Sequence, residues 1–141
     1  MKATMKATIE LQQNVNFKAT SGSGHTIQMD GPAEFGGQNL GARPMETMLM
    51  GMGGCAAFDV VHILRKGRLL VSDCVAEIEA ERAEVEPKVF TKIHLHFKVS
   101  GEKLTDKAVA KAVKLSAEKY CSASIMLGKT AHITHSHEII V

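Results

Sequence analysis

The sequence has little of several features that would point to a particular class of protein. It contains no tryptophan, one tyrosine and three prolines in 141 residues, and its formal net charge at pH 7 is only +2. Its 17 basic residues are scattered and balanced by 15 acidic ones, so the charge pattern lacks the footprint of a nucleic-acid-binding protein. We therefore expect no nucleic-acid partner.

The chain also lacks the features of a secreted protein. Its N-terminal segment carries lysines but no apolar stretch and no small-residue cleavage site. The three cysteines, Cys55, Cys74 and Cys121, are an odd number at wide spacing, as expected for free thiols in a reducing compartment. We therefore predict a cytoplasmic protein whose thiols are the candidate reactive groups.

The residues that are present suit one soluble domain, since 45% are hydrophobic and 23% are charged. Period-two and helical patterns predict the following elements: strands within 6–17 and over 25–30, a helix over 44–67, a strand pair over 72–84 and 89–100, a helix over 105–120 and a strand over 131–141. This order predicts an α+β fold in a single domain spanning residues 1–141.

The predicted long helix begins at Pro44 and ends at Gly67, positions typical of helix boundaries. Residues 47–58 carry no charge, so this part is apolar nearly all round. A membrane span is the alternative, but it needs about 20 predominantly apolar residues, and Glu46 and Asp59 flank the uncharged part. We therefore expect a central helix buried on most sides, and no membrane partner.

The three cysteines differ in their surroundings. Cys55 lies within the long helix beside Gly53 and Gly54, which would let another helix or a substrate approach the backbone closely. At Cys121 the pattern predicts that the second helix breaks and a short helix restarts. A helix N-terminus lowers a thiol pKa below its free value of about 8.5, so Cys121 is a candidate for activation. Cys74, on a strand, is predicted to be core.

Two predicted strands contain five of the seven histidines, His94, His96, His132, His135 and His137. Alternate spacing places His94 with His96 on one strand face and His135 with His137 on another. Such spacing could build a metal site. The one carboxylate at suitable spacing, Glu138, points to the opposite strand face from its neighbouring histidine. We therefore expect surface histidines, with no metal site and no cofactor.

Two cysteine-containing segments resemble those of a known family. Pro44 at a helix start, residues 53–56 around the first cysteine and residues 117–122 around the last resemble the OsmC/Ohr family, the osmotically inducible and organic hydroperoxide resistance proteins. The resemblance covers nearly the whole chain. It is greatest to the small YhfA-type branch, through Ser23-Gly24-His25, Met29-Asp30-Gly31 and Ile133-Thr134-His135-Ser136.

The resemblance implies a tightly intertwined homodimer, with curved antiparallel sheets wrapped round paired central helices and active sites at the subunit boundary. It also implies thiol peroxidase chemistry: Cys55 attacks an organic hydroperoxide, and Cys121 resolves the sulfenic acid as a disulfide that an external thiol or dithiol reduces. The alternative is a non-catalytic redox-sensing or small-molecule-binding protein of the same fold.

The sequence departs from the family pattern beside the helix start. Peroxidatic members place a glutamate directly after the helix-starting proline, whereas here Met45 follows it and the glutamate is Glu46, roughly 180° round the helix from Cys55. The family also uses an arginine from the preceding segment to hold the thiolate. Arg43 is the only arginine before the helix, and Arg82 is the alternative. Arg43 and Glu46 are therefore candidate catalytic residues beside the two cysteines.

Two further polar residues, Asp59 and His62, fall on the same face of the helix as Cys55. His62 is about 10 Å along the axis from Cys55, beyond hydrogen-bond reach. A carboxylate at Asp59 would raise a thiol pKa. We therefore expect both residues to have a structural role across the dimer interface.

Overall fold

Within residues 4–141, strands of alternating apolar and polar residues combine with three α-helices in a mixed α+β fold, as predicted. A computed structural model describes residues 4–141. Its elements are β1 (Ala7–Gln13), β2 (Asn16–Ser21), β3 (Thr26–Asp30), α1 (Pro44–Lys66), β4 (Asp73–Arg82), β5 (Phe90–Ser100), α2 (Asp106–Leu115), α3 (Ser122–Leu127) and β6 (His132–Ile139). The strands form two three-stranded sheets, ordered β1-β2-β3 and β4-β5-β6.

The chain divides into two compact units, Met1–Leu49 and Met50–Val141. The expectation of a single domain over 1–141 stays a prediction, and the first three residues of that range lie outside the described residues.

The sheet of the first unit is an antiparallel meander with an exposed outer strand. Phe17 of β2 pairs with Leu11 of β1 and with Met29 of β3. Every residue of β1 is exposed, including Ile9 at 53% and Leu11 at 59%. Exposed apolar side chains grouped on a sheet are typical of an interaction surface.

A buried carboxylate holds the loop after β3. Asp30, which is 1% exposed, accepts hydrogen bonds from the backbone N–H groups of Gly31, Gln38 and Leu40 at 2.8, 3.0 and 3.1 Å. The bond from Leu40 contributes most to lowering the pKa of Asp30 below its ordinary value of 3.8, burial opposes it, and the other two amides and the Arg43 charge add to the lowering. The ionised side chain therefore fixes the loop that leads into α1.

In the second unit, β5 is the central strand, antiparallel to β4 and parallel to β6. A parallel pair needs a long crossover connection, which the α2–α3 segment provides. The inward face of β5 carries four apolar side chains that are at most 1% exposed, Ile93, Leu95, Phe97 and Val99. The alternation of the sequence predicts this face correctly.

The first residue of β5 lies on the face opposite to the one that strict alternation predicts. Alternation along residues 89–100 would place Phe90 on the polar face with Lys92, but Phe90 is only 5% exposed. The strand pairing changes from Glu81 with Lys92 to Arg82 with Phe90, so Thr91 is an extra residue. A bulge of this kind inverts the alternation beyond it, which turns Phe90 inward and Thr91 outward.

Helix α1 begins at Pro44 and ends at Lys66, within one residue of the prediction. Its buried side in the second unit is a stripe at four-residue spacing, Met52, Ala56, Val60 and Leu64. Phe58 is 68% exposed and Met50 is 64% exposed. The prediction of burial on most sides is therefore wrong for a single chain.

Among the described residues, α1 is the one helix long and apolar enough to span a membrane, with a mean hydropathy of 1.5 over its most apolar 18 residues. The core helix of a soluble protein satisfies the same criterion.

The glycines of α1 differ in their surroundings. A Cβ on Gly53 would lie 2.8 Å from Cδ1 of Ile78, whereas Gly51 and Gly54 face open space. Close packing on β4 thus explains Gly53 and leaves the other two available to a further surface.

Replacing Asp30 with Asn should lower the melting temperature at pH 7, because a neutral amide oxygen replaces a carboxylate that accepts three N–H bonds. The pKa of Asp30 in the folded protein lies below its ordinary value of 3.8. The stabilisation by the carboxylate is therefore present above pH 3.8 and is lost as the pH falls through the pKa of the folded protein. The difference in melting temperature should therefore shrink on acidification. Glu34→Gln, at an exposed carboxylate of the same loop, should match the wild type, and an equal loss in both variants would contradict the assignment.

Candidate functional site

Two thiols and a carboxylate from distant parts of the sequence meet in the second unit. The Sγ atoms of Cys55 and Cys121 and a carboxylate oxygen of Asp59 lie within 4.8 Å of one another. Cys55 and Asp59 are four residues apart on α1 and therefore share a helix face. Cys55 is half-buried, whereas Cys121 is 0% exposed. The fold thus brings the two predicted cysteines into one cluster.

The position of Cys121 depends on an irregular helix end. After α2 the chain continues over Ser116–Tyr120 as a π-helical turn, and the N–H of Cys121 donates to the carbonyl of Ser116 at 2.8 Å. This bond spans five residues, whereas an α-helical bond spans four. Cys121 then has extended backbone, and α3 begins at the next residue. The predicted break and restart of the helix is confirmed.

The Cys121 sulfur caps the start of α3, where it accepts a hydrogen bond from the N–H of Ser124 at 3.3 Å. Burial raises the pKa of the Cys121 thiol, the neighbouring Cys55 raises it further, and the hydroxyl and amide of Ser124 lower it. The prediction that a helix N-terminus lowers this pKa is therefore wrong, because the cost of burying a thiolate exceeds the effect of its donors.

The hydroxyl of Ser124 is buried beside this sulfur. Ser124 is 4% exposed, and its Oγ has no hydrogen-bond partner within the described range 4–141. A hydroxyl in this position can turn its proton toward the sulfur when the thiol ionises. Ser124 therefore offers two donors, its N–H and its O–H, to a Cys121 thiolate.

Asp59 is the third member of the cluster, although the sequence predicts a structural role for this residue. The hydroxyl of Ser116 donates to Oδ2 of Asp59 at 3.1 Å, and it lies 3.4 Å from the carbonyl of Ala56. Since Ser116 also accepts the N–H of Cys121, one residue orients the carboxylate and anchors the second thiol. The four-residue spacing from Cys55 is the signal in the sequence, but the approach of Cys121 cannot be derived from it.

The other two predicted site residues, Arg43 and Glu46, meet at the start of α1 in the first unit. The backbone N–H of Arg43 donates to Oε1 of Glu46 at 2.7 Å, which satisfies an amide that the helix leaves free. The Arg43 guanidinium donates to the carbonyl of Gly41 at 3.4 Å. Arg82, the alternative, donates from Nε to the carbonyl of Lys88 at 2.8 Å. The catalytic roles of these residues stay predictions.

A groove of about 480 Å³ lies beside the cluster, lined in part by Asp59, His62, Lys66, Leu115 and Tyr120. It combines an apolar wall with ionisable groups, as small-molecule sites commonly do. His62 stacks on a neighbouring phenylalanine ring of α1, with ring centroids 5.7 Å apart.

Cys74 lies apart from the cluster. It is half-buried and lines a second groove, of about 350 Å³, together with Phe58 and Arg65. Burial raises the pKa of its thiol, and the charge of Asp73 adds to the shift. Cys74 is therefore less enclosed than the core position that the alternation predicts.

The strand histidines make hydrogen bonds with neighbouring side chains. Nε2 of His94 and Nδ1 of His96 lie 2.8 and 2.6 Å from the hydroxyl of Ser136. His137 lies 2.8 Å from a carboxylate oxygen of Asp106. The histidines do not belong to the group of three potential metal ligands that the structure brings together within residues 4–141. That group is the Cys55–Asp59–Cys121 cluster, whose ligand atoms lie within 4.8 Å of one another.

Residues 36–136 match the family described as OsmC-like protein, and the chain therefore belongs to the OsmC-like family. A curated relative, protein YhfA of Escherichia coli K12, is 48% identical over 136 residues, which cover 96% of this chain and 98% of YhfA. The resemblance to the YhfA-type branch is thus confirmed.

Solved structures share the fold. A hypothetical protein from Aquifex aeolicus VF5 is similar with a TM-score of 0.86 and 32% identity, over 99% of this chain and 98% of its own. An organic hydroperoxide resistance protein from Elizabethkingia anophelis is similar with a TM-score of 0.75 and 15% identity, over 99% of each chain. The latter identity is low enough that the likeness concerns the fold alone.

Removing the Ser124 hydroxyl should raise the pKa of the Cys121 thiol further, because that hydroxyl is one of the groups that favour the thiolate. With Cys55→Ser and Cys74→Ser as background, the thiolate absorbance of Ser124→Ala should appear at higher pH than that of its parent. Ser122→Ala, at an exposed neighbouring position, should leave the titration unchanged. A shift of equal size in both variants would show that the hydroxyl has no specific role.

Proposed function

We propose that this protein is a thiol peroxidase that reduces organic hydroperoxides in oxidative stress defence, with Cys55 as the attacking thiolate and Cys121 as the resolving thiol. The observation that carries the proposal is the approach of the two sulfurs to within 4.8 Å in the folded chain. Membership of the OsmC-like family supports it, since a protein of the same fold is named an organic hydroperoxide resistance protein.

Cys55 suits the first step because its side chain is half-buried, whereas Cys121 is fully buried. The Cys55 thiolate attacks the distal peroxide oxygen, an S–O bond forms, and the O–O bond breaks. The alkoxide takes up a proton and leaves as an alcohol. The groove beside Asp59, with Leu115 and Tyr120 in its wall, suits the organic group of such a substrate.

Cys121 suits the second step because its sulfur is already beside the oxidised one. It attacks the sulfur of the Cys55 sulfenic acid, an S–S bond forms, and water leaves. Since a disulfide needs its sulfurs about 2.05 Å apart, side-chain movement of a few ångströms closes the bond. An external thiol or dithiol then restores both thiols by exchange and is itself oxidised.

The thiolate of this reaction needs a positive charge nearby. An oxygen of the Asp59 carboxylate lies within 4.8 Å of both sulfurs, so a Cys55 thiolate would form beside another acidic group. An arginine would balance this charge, and Arg43 and Arg82 are the two candidates. In a dimer, either could come from the same or the partner subunit.

A homodimer would cover the apolar surface that the single chain exposes. Exposed apolar side chains are found on α1, at Met50 and Phe58, and on the first sheet, at Ile9, Leu11 and Ile27. Patches of this kind mark association surfaces, and the resemblance to the OsmC/Ohr family implies a homodimer. We place the dimer in the cytoplasm, where thiols are kept reduced.

Cysteine variants test the assignment of the two steps. The wild type should consume an organic hydroperoxide with a dithiol reductant over many cycles, and Cys55→Ser should lose turnover by at least about a hundredfold because no sulfur attacks. Cys121→Ser should form a trappable sulfenic acid at Cys55 in a single step and then turn over slowly. Peroxide consumption and mass spectrometry of the trapped adduct measure both effects.

Cys74→Ser is the matched control for these variants, since Cys74 lies outside the cluster, and it should retain wild-type turnover. Equal rates in all three variants and the wild type would contradict the proposal. Ready formation of a Cys55–Cys121 disulfide with negligible turnover for every thiol reductant would favour the alternative, a redox sensor that is not a catalyst.

Phe58→Glu should convert the dimer to monomer or weaken its association by at least about tenfold, because it places a charge on an apolar contact surface. Light scattering coupled to size-exclusion chromatography measures the mass. Val85→Glu, at a side chain 74% exposed in the β4–β5 connection, is the control and should leave the mass unchanged. A wild type that is monomeric at all concentrations would contradict the dimer.

A further inference from the structure

The cluster on α1 brings three groups that can carry negative charge into one partly buried place. The sulfurs of Cys55 and Cys121 and an oxygen of Asp59 lie within 4.8 Å of one another. Within the second unit, Asp59 accepts a hydrogen bond from Ser116, and no lysine, arginine or histidine nitrogen of residues 50–141 lies within ion-pair distance of its carboxylate. Such a set of donors favours a bound cation.

The chemistry of the donors indicates which cation. Two thiolates and one carboxylate are ligands of Zn²⁺, with Zn–S bonds of about 2.3 Å and Zn–O bonds of about 2.1 Å. In a tetrahedron with those bond lengths, the ligand atoms lie about 3.5–3.8 Å apart. The three atoms of the cluster, all within 4.8 Å of one another, reach this spacing by small side-chain movements.

The groups around the donors hold them in place, as the outer shell of a metal site does. Ser116, which is 2% exposed, donates its hydroxyl to Oδ2 of the Asp59 carboxylate at 3.1 Å. The N–H of Ser124 donates to Cys121 Sγ at 3.3 Å. Both bonds leave further lone pairs on the oxygen and sulfur acceptors for a metal ion.

We propose that Cys55, Asp59 and Cys121 bind one thiophilic divalent cation, Zn²⁺, with water as the fourth ligand. Binding displaces the two thiol protons and forms two metal–sulfur bonds, with no change of oxidation state. The metal-bound and disulfide forms exclude each other because they use the same sulfurs. The proposal rests on the geometry of the reduced cluster and does not require peroxidase turnover.

Titration of the reduced, metal-free protein with Co²⁺ in the absence of oxygen tests the site, since thiolate ligation produces a sulfur-to-cobalt charge-transfer band. The wild type should bind one equivalent, and Zn²⁺ should displace it and raise the melting temperature. Cys55→Ser and Cys121→Ser should each lose the band. Cys74→Ser, the matched control, should bind like the wild type.

Variants of Asp59 separate ligation from a structural role. Asp59→Asn keeps the size of the side chain and should weaken Co²⁺ and Zn²⁺ binding by at least about tenfold. Asp59→His, which supplies a nitrogen ligand, should restore binding. Wild-type protein oxidised to the Cys55–Cys121 disulfide keeps the same sequence but has no free thiol at the site, so it should bind neither Co²⁺ nor Zn²⁺.

Three results would each overturn the proposal: no charge-transfer band for the reduced wild type, equal binding by the reduced and disulfide forms, or a loss of binding on Cys74→Ser. Peroxide turnover, measured separately with a chelator present, tests the peroxidase proposal independently of the metal site. A protein that turns over but binds no Zn²⁺ refutes only the metal site.

Discussion

One buried hydroxyl, that of Ser116, joins the parts of the site. It donates to Asp59 of α1, while the carbonyl of the same residue accepts the N–H of Cys121 across the π-helical turn. A hydrogen bond to a charged group is worth about 1.5–3 kcal/mol, and the donor of this one is buried, since Ser116 is 2% exposed. The meeting of the two sulfurs therefore depends on how the end of α2 is fixed against α1.

The cluster is electrostatically unbalanced, and its chemistry follows from that imbalance. Burial and a neighbouring sulfur raise the pKa of Cys121, and a carboxylate lies within 4.8 Å of both sulfurs. Protons, a guanidinium or a metal ion can each compensate such a site, and each choice gives a different state. Protonated thiols are poor nucleophiles. A thiolate beside an arginine is the state required by the proposed peroxidase, and thiolates bound to Zn²⁺ are the state required by the proposed metal site.

Much of the fold could be predicted because its signals are local. Pro44 starts a helix, and alternation on β5 predicts its buried face correctly. The same alternation predicts the wrong face for Phe90 because a bulge, which depends on pairing with β4, inverts the pattern. For the site, the residues of both cysteine segments pointed to the thiols. The role of Asp59 and the raised pKa of Cys121 depend on burial and on contacts between distant segments, which no local pattern contains.

The pairing of cysteines after oxidation of the native protein shows whether Cys55 and Cys121 meet in the folded chain. The reduced protein would be treated with one equivalent of oxidant, alkylated and mapped by mass spectrometry, beside a sample oxidised in urea. An intrachain Cys55–Cys121 disulfide should be the main native product, with Cys74 alkylated and no such preference in urea. The same mixture of pairings under both conditions, or native disulfides through Cys74, would contradict it.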